Sequence, residues 1–137
     1  MEISEAMPFL EEEHHTVVTT LGRSGRPQTT IVRGGPYHGG MVFVVRGSTV
    51  KLANLHRDAR CTVLTVAPDW TKFVTVEGSA TIRGPDNTDP EELRLLLREA
   101  FAAAGGTHDN WDEYDRVMRE DRRAVVLVSA ERVYGRV

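Results

Sequence analysis

Apolar and polar positions alternate along much of this chain, and the alternating runs are short. Residues 16–21, Thr-Val-Val-Thr-Thr-Leu, and 28–33, Gln-Thr-Thr-Ile-Val-Arg, flank a Gly/Pro loop at 22–27 and predict a hairpin. The Gly/Pro-rich stretch 34–40 reads as a second turn region. Residues 41–45, Met-Val-Phe-Val-Val, are apolar throughout, which predicts a strand buried on both faces. Residues 60–66 form a fourth β-rich run and 73–83 a fifth. In the fifth, Val74, Val76, Ala80 and Ile82 alternate with Thr75, Glu77, Ser79 and Thr81, so one face is expected to be wet. Residues 124–131 read as the last strand.

Helical spacing appears in four places. Residues 3–13 predict a short helix with Ser4 as N-cap and Met7, Phe9 and Leu10 on its apolar side. Residues 50–56 predict another, capped by Ser48 or Thr49. The clearest starts at Asp89. Asp89 caps, Pro90 takes the first helical position and Glu92 is placed for a capping box. Leu93, Leu96, Leu97, Ala100, Phe101 and Ala104 keep the spacing until Gly105-Gly106. A further helix begins near Asn110, with Trp111, Tyr114 and Met118 as a packing stripe. About six strands with short connections rule out a parallel doubly wound sheet. The expected class is mainly β (α+β): one domain over 1–137, an antiparallel sheet curled into a barrel with helices outside.

Composition narrows the partners. Hydrophobic residues are 40% and charged residues 27% of 137, an ordinary globular balance. The net charge of −3 excludes a general nucleic-acid binder. No stretch approaches the ~20 apolar residues of a membrane span, and the acidic start predicts no secretory leader. The single cysteine, Cys61, reads as a small buried hydrophobe in a protein of the reducing cytoplasm. Among the cations, 15 are Arg and only Lys51 and Lys72 are Lys. Arginine grips carboxylates and phosphates bidentately, so a local anion site remains open to such a chain. His14, His15 and His56 lack metal-site spacing, and none looks placed as an axial haem ligand.

Candidate chemistry gathers at 46–51, Arg-Gly-Ser-Thr-Val-Lys. A buried strand ends, a glycine permits a tight turn, and hydroxyl residues open a helix with lysine in its first turn. Free backbone N–H groups, the helix dipole, Arg46, Ser48, Thr49, Val50 and Lys51 together suit a phosphate.

The run does not stand alone. In order, Gly25-Arg26-Pro27-Gln28, Ser48-Thr49-Val50-Lys51, Asn54-Leu55, Asp58-Ala59-Arg60 and Val76-Glu77-Gly78 resemble the pyridoxamine-phosphate-oxidase-like flavin-binding split-barrel family. The ending, with residues 108–114, Met118, 121–123 and 132–135, looks like its branch that uses the deazaflavin coenzyme F-420. The resemblance spans about residues 8–135 and implies a six-stranded antiparallel split β-barrel that forms a homodimer, with the cofactor between subunits and a small-molecule substrate beside it. It implies that Lys51 holds phosphate with Thr49 beside it, that Gln28 contacts the cofactor, and that Trp70 and Lys72 face its ring. Relatives often carry an arginine just before the lysine; here stand Thr49 and Val50, and Arg46 is expected to supply that charge. Arg23, Arg26 and Arg33 are candidates for a cofactor's anionic tail. No acid–base constellation is visible, which fits hydride transfer, because there the cofactor carries the chemistry. FMN is the alternative cofactor, since it also presents a phosphate. A non-catalytic cofactor-binding protein and a haem-handling split barrel are the rival readings.

Overall fold

The structure is a computed structural model describing residues 1–137. Its strands are β1 (His15–Leu21), β2 (Pro27–Tyr37), β3 (Gly40–Val45), β4 (Arg60–Val66), β5 (Phe73–Arg83), β6 (Ala124–Ser129) and β7 (Arg132–Arg136). The helices are α1 (Ile3–Glu12), α2 (Val50–Arg57), α3 (Pro90–Ala103) and α4 (Trp111–Glu120). Every strand pairing is antiparallel, in the order β4-β1-β2-β3-β6-β5, and β4 pairs with β5 to close a six-stranded barrel. The seventh strand, β7, adds to β5 outside the ring.

Two long strands make the barrel split. β2 pairs with β1 through Pro27–Arg33 and with β3 through Gly34–Tyr37. β5 pairs with β4 and β7 through its first half and with β6 from Ala80 onward. Each therefore belongs to two sheets and bends between them. Gly78 lies at the bend of β5, where a Cβ would come 1.5 Å from the Ser129 carbonyl oxygen.

The interior is filled by alternate residues of all six strands, among them Val18, Phe43, Val63, Val76 and Val126. Ala6 and Leu10 of α1 and Leu52 and Leu55 of α2 pack into the same core. Cys61 is buried there, and burial pushes its thiol up to about 12. A second cluster lies outside the barrel, where Leu93, Leu97 and Ala100 of α3 and Tyr114 of α4 cover Val42 and Val125. The β3 strand thus buries both faces, as its unbroken apolar run predicts.

Several expectations shift. The 34–40 stretch is mostly strand: β2 runs on to Tyr37, and only the His38-Gly39 corner turns, both residues having positive φ. Glu2, not Ser4, caps α1, through a capping box with Glu5. Asp89 caps α3 by accepting from the N–H groups of Glu91 and Glu92, without a returning bond from Glu92. Thr75, expected on a wet face, is 5% exposed. The strand predicted at 124–131 breaks at Ala130-Glu131, and β7 follows. No helix is long and apolar enough to cross a membrane.

Because Gly78 faces a carbonyl oxygen across the bend, Gly78→Ala is expected to cost about 2–3 kcal/mol through overpacking and backbone displacement. Urea unfolding of the variant checks this; an unchanged midpoint would show that the bend yields freely.

Candidate functional site

The turn after β3 is built by the residues singled out in the sequence. Thr49 occupies the N-cap position of α2, but its hydroxyl donates backward to the Arg46 carbonyl at 3.0 Å rather than accepting from the helix. The first-turn N–H groups of α2 are left with no side-chain cap, and such groups favour an anion. The turn is seated on the α4–β6 corner. Gly47 donates to the Asp121 carbonyl at 3.4 Å, and a Cβ at Gly47 would come 2.8 Å from the Arg122 carbonyl oxygen. The Asp121 carboxylate lies 4.0 Å from Arg46 and 3.2 Å from Arg123.

Beside this turn opens a cavity of about 450 Å³. Arg46, Thr49 and Lys51 line one side; Ile31, Val32 and Arg33 of β2 and Val44 and Val45 of β3 line another; Ala100, Phe101, Ala104, Tyr114, Met118 and Arg123 complete the wall. Four cations, Arg33, Arg46, Lys51 and Arg123, therefore meet in it with no acidic lining residue. Arg33 is held in place by its Nε donating to the Ala104 carbonyl at 2.8 Å. Lys51 makes no ion pair, and burial lowers its ammonium pKa from the ordinary lysine value. Tyr114 donates to the Leu97 carbonyl at 2.9 Å, and burial pushes its phenol up to about 12. The cavity is apolar at the helix side and cationic at the turn, a combination suited to a planar organic ligand with a phosphoryl group.

The other sequence candidates lie elsewhere in the chain. Ser48 faces a separate cleft of about 370 Å³ shared with Asp86 and Arg122. Val50 is 60% exposed. Gln28 belongs to a polar network at the far end of β1. Its Oε1 lies 3.3 Å from the Thr20 hydroxyl and 3.4 Å from Asn54 Nδ2, and Asn54 Oδ1 in turn accepts from Arg57 at 2.8 Å. Arg23 and Arg26 sit in the exposed β1–β2 turn. Trp70 and Lys72 sit at the tip of the β4–β5 hairpin, closed by Ala67 N–H donating to the Lys72 carbonyl at 2.9 Å. Trp70 has φ 67 and is 79% exposed, a rare backbone state for a bulky residue.

Arg123, which pairs with Asp121, and Tyr114, which belongs to the packing stripe, both also wall the cavity. The position of Tyr114 on α4 signals packing alone, and nothing in the sequence places Arg123; the return of the chain into β6 brings both into the cavity that Lys51 lines.

Comparisons with known proteins agree with this architecture. A family model described as pyridoxamine 5'-phosphate oxidase matches residues 3–136. Among solved structures, conserved hypothetical protein Rv2991 from Mycobacterium tuberculosis is similar over 99% of this chain and 84% of its own, with 22% identity and a TM-score of 0.75. An F420 reductase is similar over 93% of this chain and 94% of its own, with 14% identity and a TM-score of 0.69. A heme binding protein from Mycobacterium smegmatis matches over 98% of this chain and 52% of its own, with 19% identity and a TM-score of 0.70. At these identities the structural likeness establishes a shared fold.

A lysine with a lowered pKa loses its charge earlier as pH rises. Inorganic phosphate, already a dianion at the alkaline pH where a lysine titrates, should therefore bind less tightly as pH climbs through the Lys51 ionisation, and Lys51→Met should remove that alkaline limb. Calorimetric titration against pH checks this; an identical limb in the variant would take Lys51 out of the anion site.

Proposed function

The chain belongs to the pyridoxamine 5'-phosphate oxidase family, and from that premise we propose that it is an oxidoreductase that holds the deazaflavin coenzyme F-420 and passes a hydride to a small organic substrate. The observation that carries the reading is the meeting of Arg46, Thr49, Lys51 and the uncapped start of α2 in one cavity. These groups fit a phosphoryl group: charge, free N–H donors and a lysine without a competing carboxylate. The apolar wall of Phe101, Tyr114 and Met118 fits the remainder of an aromatic cofactor. When bound, the cofactor supplies the hydride chemistry. The chain supplies a phosphate grip, a wall that excludes water and a fixed orientation. FMN offers the same phosphoryl handle and is the second reading.

The proposal includes a homodimer. α3 and α4 cover only one outer face of the barrel. On the other, one cross-strand row runs Ile31, Val17, Leu64, Thr75, Tyr134 through five neighbouring strands, uncharged throughout. Ile31 in this row is 83% exposed and borders the cavity. A second copy seated on this face would bring its Trp70 and Lys72 toward the cavity that its neighbour's Lys51 lines. That arrangement accounts for an exposed tryptophan in a strained turn conformation.

Side-by-side quenching of tryptophan fluorescence by F-420 and FMN tests the cofactor. Tighter binding of F-420, with oxidation of its reduced form by candidate substrates, is expected. Tighter binding of FMN selects the second reading, and binding without turnover across a wide substrate panel would make the protein a carrier. Lys51→Ala should weaken the bound cofactor by about 1–3 kcal/mol, the worth of a charged hydrogen bond; unchanged affinity would contradict the assignment. Light scattering at micromolar concentration should give a dimer, and Leu64→Glu, which places charge in the uncharged row without touching the cavity, should give a monomer. A monomeric wild-type protein would contradict the interface.

A further inference from the structure

The helix pair α3/α4 is closed at one end and open at the other. The end of α3 meets the start of α4 through Phe101, Trp111 and Tyr114, whose rings lie 5.0–6.1 Å apart and fill the space between the helices. Midway, Asp115, 7% exposed, is clamped by Arg98 at 2.6 Å and Arg94 at 3.4 Å. Beyond this clamp no aromatic side chain fills the gap. A cleft of about 600 Å³ remains between the first turns of α3 and the last turns of α4, roofed by the loop through Pro85 and Thr88.

The walls of this cleft have a definite chemistry. Leu93, Leu97 and Met118 line it together with the aliphatic stems of the arginines. Each acid on the wall is already engaged within the protein. Asp89 accepts from the N–H groups of Glu91 and Glu92, Glu91 pairs with Arg94, and Asp115 is held by two guanidiniums. The cations are not balanced in the same way. Arg119, in the last turn of α4, is exposed and makes neither an ion pair nor a side-chain hydrogen bond. Arg122 reaches Asp86 at 2.8 Å, but side chains that are 60% and 92% exposed make this a loose surface pair.

We propose that this cleft is a second ligand site, for an amphipathic organic anion with an aliphatic or aromatic body and one carboxylate. The body lies on Leu93, Leu97 and Met118, and the carboxylate is taken by the guanidinium of Arg119, with Arg122 released from Asp86 to join it. A neutral or cationic ligand of the same shape would leave Arg119 without a counter-charge, so the site discriminates by sign. The cleft lies outside the proposed cofactor function, and its wall shares only Met118 and Arg123 with the cofactor cavity.

Sodium octanoate is the probe, added to the full-length protein without cofactor and followed by backbone amide chemical shifts. Saturable shifts confined to residues 85–97 and 115–123 are expected, with n-octanol bound about tenfold more weakly. Arg119→Ala, a surface change that leaves the Asp115 clamp intact, should weaken octanoate by a similar factor and leave octanol unaffected. Four results would overturn the proposal: no saturable shift at millimolar octanoate, equal binding of octanol, shifts centred on the outer row of Ile31, Val17 and Leu64, or shifts centred on Arg33, Val44 and Lys51 of the cofactor cavity. Because no cofactor is present, failure here leaves the F-420 titration untouched, and the reverse also holds.

Discussion

Closure of the barrel by the β4–β5 pairing sets everything else. Once Arg60–Val66 is zipped to Phe73–Ser79, inner and outer positions are defined on every strand, and the valines and Phe43 of the interior have one place to go. The closure also demands that β2 and β5 bend from one sheet to the other. Those bends leave two outer faces of different character. Helices α3 and α4 cover the sheet of β3 and β6. The sheet of β1, β4 and β7 keeps a row of uncharged residues that neither α3 nor α4 covers. The candidate cofactor cavity lies at the seam, where β2 crosses between the faces and the β3–α2 turn reaches the α4–β6 corner.

The cavity draws its cations from four separate places: β2, the β3–α2 turn, α2 and the turn before β6. Asp121 sits between Arg46 and Arg123 and keeps both guanidiniums at the corner. Its carboxylate offsets part of their repulsion while Lys51 stays without a counter-ion. The phosphoryl group of the proposed cofactor would bring the charge that the cavity lacks. The proposed hydride chemistry would ask for little more from the protein than grip, orientation and exclusion of water.

Much of the fold was legible in the chain because short-range patterns and burial agreed. The unbroken apolar run of 41–45 means two covered faces, and both core clusters use it. Asp89-Pro90 at one end and Gly105-Gly106 at the other bound α3 as their cap chemistry requires. Strands β4 and β5 start and end where their patterns do. What escaped was tertiary. Gly34-Gly35-Pro36 reads as a turn, yet these small residues let β2 run beneath α3, where a Cβ at Gly35 would lie 1.8 Å from the Ala103 carbonyl oxygen. The β7 strand is five residues with one buried side chain, Val133, too little alternation to announce itself. Of the site, Arg46, Thr49 and Lys51 form a contiguous local signal and come together. Arg33 and Arg123 join them through long-range packing that no spacing encodes. Gln28, Trp70 and Lys72 lie away from the cavity, and for the last two a second copy of the chain is the proposed route back.

If the β3–α2 turn is shaped around a phosphoryl group, a crystal of the protein soaked with F-420 or FMN will show phosphorus density against the Lys51 ammonium, the Thr49 hydroxyl and the first N–H groups of α2, with Arg46 or Arg123 turned toward it. Cofactor density at another place, or a cavity filled by its own side chains while cofactor binds in solution, would contradict it.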